Sequence, residues 1–341
     1  MTDAPPGGGP DHVPGAASAG AASAGAASAG SQMSRLRAQL NEQVAKVVVG
    51  QAHVVDATLI AISVGGHLLL EGPPGVAKTL LASATARACG LDNRRIQFTP
   101  DMLPSDVTGT LTLRGQELAW RPGPVFTNLL LADEINRTPP KTQAALLEAM
   151  QEGQVTIDGV EHRLPQPFTV LATQNPIEYE GTYQLPEAQL DRFLMKVIVT
   201  YPSAAEEETL LKLRHSGVAP VTLGDVVTIA GASDLMAARA EVDAVTVHDA
   251  IVSYIAALVR RTRELPSVSL GASPRAAVHL LAAAKASACL SGRSYVVPDD
   301  VVALAVPVLG HRILLTPEAE LDRFTPADAL ANALSSVPIP R

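Results

Sequence analysis

Aromatic residues are scarce: Phe, Tyr and Trp make up 3% of the 341 residues. Any core must therefore be filled by Ala, Val and Leu, in keeping with an apolar content of 47%. The same scarcity argues against a stacking surface for single-stranded nucleic acid. Cys89 and Cys289 are the only cysteines. Two thiols cannot make a structural zinc site by themselves, and each falls in a helical pattern, so they read as small buried residues. No apolar run reaches the roughly 18 residues that a membrane span needs. The N-terminus has no basic region followed by an apolar core, so no secretion signal is read, and the chain is expected in a reducing cytoplasm. Positive charge is also short. The net charge of −8 disfavours broad binding to nucleic acid or anionic membranes. Only six residues are lysine, so a lysine inside a motif carries information.

What is present suffices for two domains. The chain is organised around HLLLEGPPGVAKTL, residues 67–80. Leu68, Leu69 and Leu70 read as a buried strand. Gly72, Pro73, Pro74, Gly75, Val76 and Ala77 form a turn, and Lys78, Thr79 and Leu80 open a helix that ends at Gly90. Strand, glycine-rich turn, Lys-Thr and helix together make a phosphate-binding loop. Backbone N–H groups at the turn and helix N-terminus cradle an anion, Lys78 adds a point charge, and the Thr79 hydroxyl is a ligand for Mg²⁺. Ala77 stands where the general pattern has its second glycine. Alanine is tolerated there if its φ is negative. On this motif alone, an ordinary strand-to-helix turn with an exposed lysine stays open.

A second signal lies about 55 residues on, where the apolar strand in VFTNLLLADE ends in Asp133-Glu134. A continuously apolar run suits a parallel strand buried on both faces. An Asp at its tip can hold a metal's water shell, and the next carboxylate can act as general base on water. Phe168–Thr173 is a further strand leading to Asn175-Pro176. Asn175 either orients water against a phosphate or caps a proline turn. Arg192 ends a short helix from Pro186, and is either a rim ion pair or an arginine finger for a neighbouring subunit. Ser273-Pro274-Arg275 opens a helix in which Arg275 works against the macrodipole. Its anionic partner is a carboxylate or a nucleotide phosphate. Val49-Gly50 breaks the helices 33–48 and 53–64, and is either a plain turn or part of an adenine pocket.

Five strands are expected, at 68–71, 95–98, 128–132, 168–173 and 195–199, mostly separated by helices and hence parallel. Two hairpins are expected at 110–120, turning at Gly115-Gln116, and at 154–164, turning at Asp158-Gly159. A helix is read from Thr138 as N-cap with Pro139 at its first position. Beyond residue 204 only helical runs remain, near 204–215, 223–241, 247–264, 274–291 and 298–310. Residues 1–32 are Gly, Ala, Ser and Pro with three copies of Ala-Ala-Ser-Ala-Gly, too poor in apolar groups to order, and read as a flexible arm.

In order and spacing, GPPGVAKT, LLLADEIN, ATQNP, LPEAQLDRF and GASPRA resemble the MoxR family of AAA+ ATPases over about residues 35–315. That resemblance accommodates Ala77 and implies an α/β fold: an AAA+ P-loop αβα core (33–203) with a five-stranded parallel sheet and hairpin insertions, then an all-helical lid domain (204–335). It implies ATP and Mg²⁺ as cofactors. Lys78, Thr79 and Asp133 would be the phosphate and metal contacts and Glu134 the base. Asn175 would be sensor 1, Arg192 a finger acting in trans, and Arg275 sensor 2 contacting the γ-phosphate from the lid. Arg137 recurs as an intersubunit candidate. The implied protein is a homo-oligomeric ring, a hexamer by expectation, that remodels, matures or metallates a client protein alongside a von Willebrand factor A domain protein. Two other readings stay open: a nucleic-acid-stimulated motor or helicase, and a nucleotide-switched scaffold with little turnover.

Overall fold

The computed structural model describes residues 31–114, 117–175, 183–215 and 222–340. The expected arm lies outside the described residues except for its last two. Of these, Ser31 caps the first helix, Gln32–Ala45. The turn residues Gly115 and Gln116, and Pro176, also lie outside them.

Strands β1 (Leu68–Glu71), β2 (Asn93–Gln97), β3 (Leu129–Asp133), β4 (Thr169–Gln174) and β5 (Met195–Ile198) form one sheet in the order β2-β3-β4-β1-β5. Every pairing in it is parallel. The period-2 alternation of a strand explains why LLL and LLLA are continuously apolar, because each face has its own cover. Leu68, Leu70, Leu129 and Leu131 pack with the helices at 32–45, 52–64 and 78–88 and with the C-terminal helices. Leu69, Leu130 and Ala132 pack instead with Leu146, Leu147 and Met150 of helix Pro140–Glu152. The result is three layers. Both cysteines are buried in the first of these cores, and burial pushes the Cys89 thiol up to about 12.

Both hairpins are present, at Gly109–Arg114 with Glu117–Pro122 and at Gln154–Ile157 with Val160–Arg163. Trp120 of one stacks on His162 of the other, with ring centroids 3.9 Å apart. Asp158 and Gly159 have φ of 50° and 79°, the left-handed pair that a two-residue I′ turn requires.

Two expected boundaries change. The helix read from Thr138 starts at Pro140, with Pro139 as N-cap, because a residue before proline is itself barred from the helical region. The helix read over 223–241 forms only at Ala232–Asp243. Upstream of it the chain is pinned to the P-loop helix, Lys78–Ala88: Arg87 Nε donates to the Val226 carbonyl at 2.8 Å, and Ile229 N–H to the Ala88 carbonyl at 2.8 Å. Tertiary pairing overrides local propensity here. The C-terminal helices Ala204–His215, Asp249–Thr262, Pro274–Leu290 and Pro298–Leu309 match expectation closely. They are joined by an unforeseen antiparallel pair, Val268–Leu270 with Leu314–Leu315, and by helices Pro317–Leu321 and Pro326–Ser336. Among the described residues no helix is long and apolar enough to cross a membrane.

Candidate active site

The C-terminal tips of the parallel strands are where such sheets bind ligands, and the motif residues converge there. Residues 72–77 carry the chain from β1 to helix Lys78–Ala88. Gly72 has to be glycine, because a Cβ there would lie 2.2 Å from the Val199 carbonyl oxygen after β5. Ala77 departs from the expectation of negative φ. It is left-handed, at φ 61° and ψ 24°, a conformation that costs a residue with a Cβ roughly 1–2 kcal/mol. The turn therefore keeps a glycine-like shape without the glycine. Lys78 Nζ donates to the Gly72 carbonyl at 2.8 Å, which folds the ammonium over the turn.

Asp133 ends β3, and its neighbour Glu134 is left-handed as well, at φ 57° and ψ 50°. That kink takes the second carboxylate off the strand direction and into the cleft. Thr173 of β4, fully buried, organises both residues. Its hydroxyl donates to Asp133 Oδ1 at 2.5 Å and accepts the Glu134 N–H at 2.8 Å. Arg95 of β2 places Nε and Nη2 on Asp133 Oδ2 at 3.1 and 2.7 Å. Gln97 Nε2 donates to Glu134 Oε2 at 2.6 Å, and Arg137 Nε pairs with the same oxygen at 3.0 Å. Arg137, an intersubunit candidate by sequence, is thus engaged inside its own chain. Together with Pro74, Gly75, Ala77, Lys78, Thr79, Leu80 and Asn175, the side chains of Arg95, Gln97, Asp133 and Glu134 line a cleft of about 450 Å³. Pro73 and Val76 belong to the same turn, and Val76 packs into the core.

The donor set fits a small hard cation. Thr79 offers a hydroxyl and Asp133 a carboxylate on one cleft wall. Asp133 Oδ2 already holds a cationic group, the Arg95 guanidinium. Among the described residues no cluster of three or more His, Cys, Asp or Glu could hold a metal. One hydroxyl and one carboxylate suit magnesium, which takes one or two carboxylates and completes its shell from phosphate and water.

Val49 and Gly50 do not line that cleft. They line a separate cavity of about 500 Å³, with Val44, Val48, Gln51 and Glu206. Gln51 Nε2 donates to the Thr200 carbonyl at 3.1 Å, so this cavity abuts the chain leaving β5.

Arg192 and Arg275 are also elsewhere, and they are together. With Gly65, Gly66, His67, Met150, Gln151 and His279 they line a pocket of about 200 Å³. His67 precedes β1, and Leu194 N–H, just before β5, donates to the His67 carbonyl at 2.8 Å. The pocket therefore sits at the N-terminal end of the sheet, the end opposite the phosphate loop. A carboxylate partner for Arg275, the unexciting option, is not found: neither arginine's guanidinium has an ion pair or hydrogen bond among the described residues. Sequence also missed what braces them. Arg312 is buried, with Nε on Asp191 Oδ1 at 2.7 Å, Nη2 on the Phe193 carbonyl at 2.5 Å and on His279 Nδ1 at 2.6 Å. Ser273 Oγ reaches Asp191 at 3.2 Å. Asp191 and Ser273 precede the two arginines by one and two residues, so a single buried hub fixes both.

Burial lowers His67 to about 4, and burial with the adjacent Arg312 lowers His279 to about 4. Both stay neutral in the folded chain, whereas an unfolded histidine takes up a proton near pH 6.5. Their contribution is therefore complete above pH 6.5 and is lost as pH falls towards 4. Each is expected to remove about 2 kcal/mol of unfolding free energy between pH 7.5 and pH 5. Urea midpoints at the two pH values check this, and an unchanged midpoint would contradict it.

The site and fold are those of an AAA-type ATPase. Residues 67–195 match the family described as "ATPase family associated with various cellular activities (AAA)", and residues 260–333 match the AAA lid domain. The chain is 48% identical to the protein YeaC of Bacillus subtilis over 88% of this chain and 93% of that one. It is 43% identical to Chaperone MoxR1 of Mycobacterium tuberculosis, over 88% and 81% respectively. A solved structure from Cytophaga hutchinsonii superposes with a TM-score of 0.84 at 42% identity, covering 91% of this chain and 97% of that one. The chain belongs to the MoxR family of AAA+ ATPases.

Proposed function

We propose that the chain is a Mg²⁺-dependent ATPase that works as a homo-oligomeric ring, hexameric by expectation, with each active site shared between two subunits. One observation carries the reading: the proposed phosphate loop and the two arginines, which have no ion pair or hydrogen bond from their guanidinium groups among the described residues, stand at opposite ends of the same sheet. A four-residue strand separates them by about 13 Å, so a nucleotide on Lys78 is out of reach of Arg192 in the same chain. A neighbour's Arg192 and Arg275, packed against that nucleotide, meet the need of both. In this arrangement Lys78 and the N–H groups of the turn hold the β- and γ-phosphates. Thr79 and Asp133 hold the metal, which when bound neutralises charge on the phosphate oxygens. Glu134 takes a proton from the attacking water, and Asn175, buried beside it, orients that water. The arginines stabilise charge that grows in the transition state.

The name of the mycobacterial relative, Chaperone MoxR1, supports a chaperone-like output. Hydrolysis would move the linked hairpins against a client protein, maturing it or inserting a metal, in the cytoplasm and alongside a von Willebrand factor A domain protein. Two measurements test the ATPase. Lys78→Ala is expected to weaken ATP binding by about 30- to 100-fold, and near-native affinity would remove the phosphate-loop assignment. Specific activity is expected to fall on dilution as the ring comes apart, whereas activity strictly proportional to protein would contradict a shared site.

A further inference from the structure

We infer that His279 is a third phosphate contact in the pocket of Arg192 and Arg275: its Nε2–H donates to the terminal phosphate of a nucleotide held by the neighbouring subunit. The inference rests on the ATPase reading above. It adds a residue by which the donor subunit tells a triphosphate from a diphosphate.

The place of the proton on the ring follows from its partner. Arg312 Nη2 lies 2.6 Å from His279 Nδ1. A guanidinium has only N–H groups to offer, so Nδ1 accepts and carries no proton. A doubly protonated ring would set a second donor against that guanidinium. Burial and the Arg312 charge oppose it as well, and they hold the imidazole neutral. The single proton is therefore on Nε2, on the other edge of the ring. Arg312 cannot turn away, because it is itself buried and held by Asp191 Oδ1 and the Phe193 carbonyl. Among the described residues the contact with Arg312 is the one hydrogen bond that the imidazole makes, so its Nε2–H is left to donate elsewhere.

The ring lines the same pocket as the two arginines. Arg275 and His279 lie four residues apart on helix Pro274–Leu290, the spacing that sets two side chains beside each other on one face. With Nδ1 engaged by Arg312, the edge of the ring left for the pocket is the one that carries Nε2–H. The pocket thus offers two guanidinium groups and a neutral N–H, all of them donors. Asp191, the carboxylate behind them, is engaged by Arg312 and Ser273. Donors from three side chains fit a tetrahedral oxyanion that carries more than one charge. The two arginines have long stems and many rotamers. The imidazole turns about two bonds and is pinned through Nδ1, so it fixes the point at which a phosphate oxygen is met. A diphosphate ends one phosphate short of that point.

Two variants separate a phosphate contact from mere support of Arg312. In His279→Asn the amide oxygen can accept from Arg312 in place of Nδ1, but the side chain is too short to carry a donor to the Nε2 position. In His279→Gln an amide N–H reaches about that far. Each is made in the full chain together with Glu134→Gln, so that ATP is not consumed, and titrated with the fluorescent N-methylanthraniloyl derivatives of ATP and ADP in Mg²⁺. His279→Asn is expected to bind the triphosphate about 20-fold more weakly and the diphosphate as before, and His279→Gln to recover to within about threefold. An unchanged triphosphate affinity in His279→Asn overturns the inference. So does equal weakening for both nucleotides, which marks an altered subunit contact or fold, and so does a His279→Gln variant as weak as His279→Asn. Glu134→Gln protein that binds neither probe would instead overturn the ATPase reading. With Glu134 restored, His279→Asn mixed in equal amounts with Glu134→Gln should recover about one quarter of wild-type turnover. Recovery of only about one fortieth would put the phosphate on its own chain and overturn the inference. If Arg192→Ala is rescued by the same partner and His279→Asn is not, the histidine contact falls and the shared site stands.

Discussion

Replacing Glu134 with glutamine is expected to leave ATP bound and almost unhydrolysed: kcat about a thousandfold lower, with nucleotide affinity within about threefold of wild type. The substitution keeps the size and the hydrogen-bonding reach of the side chain and removes its ability to take a proton. The left-handed backbone at Glu134 belongs to the main chain and survives the change, as does the Thr173 hydrogen bond to its N–H. Asp133 and Thr79, the proposed metal donors, are untouched. Single-turnover ATP hydrolysis and equilibrium binding separate the two effects. Turnover near the wild-type rate would remove Glu134 as the base. Loss of binding together with turnover would show that the variant damages the cleft as a whole. The variant also has a practical use: locked with ATP, it is the form expected to retain a client.

How far this site could be read from sequence depends on how local each part is. The strand–turn–helix form of the proposed phosphate loop was legible because its geometry is written in consecutive residues, Gly72 to Thr79, and the one departure there concerned conformation. Ala77 was expected to avoid the left-handed region, and it occupies it. Asp133 and Glu134 were legible because a fully buried strand must end somewhere, and charge marks where. Thr173, Arg95 and Gln97 were not. Each acts across a strand pairing whose register is invisible until the sheet is assembled. Thr173 in particular looks like one more tolerable polar residue in an otherwise apolar strand. The helix expected over 223–241 failed for a related reason. Its first half is claimed by carbonyl contacts with Arg87 and by pairing to Ala88, 139 and more residues earlier in the chain. Arg192 and Arg275 were picked out one at a time, as a helix-end arginine and a first-turn arginine. That they share a pocket, braced by Arg312 and Asp191, required the folded chain.

This shared pocket makes a specific demand on mixed rings. Arg192→Ala and Glu134→Gln are each expected to be about a thousandfold slower than wild type. Mixed in equal amounts and allowed to exchange subunits, they should recover about one quarter of wild-type activity. The arithmetic is short: half of the phosphate loops carry an intact Glu134, and half of those face a neighbour with an intact Arg192. If Arg192 served its own chain's nucleotide, no subunit in the mixture would hold a complete site, and activity would stay at the level of the single variants. The same logic locates Arg275. Mixing Arg192→Ala with Arg275→Ala should rescue nothing if both arginines are delivered by one chain to one neighbour, because every donor pocket then lacks one of the pair. If Arg275 instead contacted its own chain's γ-phosphate, as a lid residue reaching over the cleft, that second mixture would recover about one quarter as well. The distance argument favours silence in the second mixture and recovery in the first. The reverse pattern would separate the two arginines that the buried Arg312–Asp191 hub holds together.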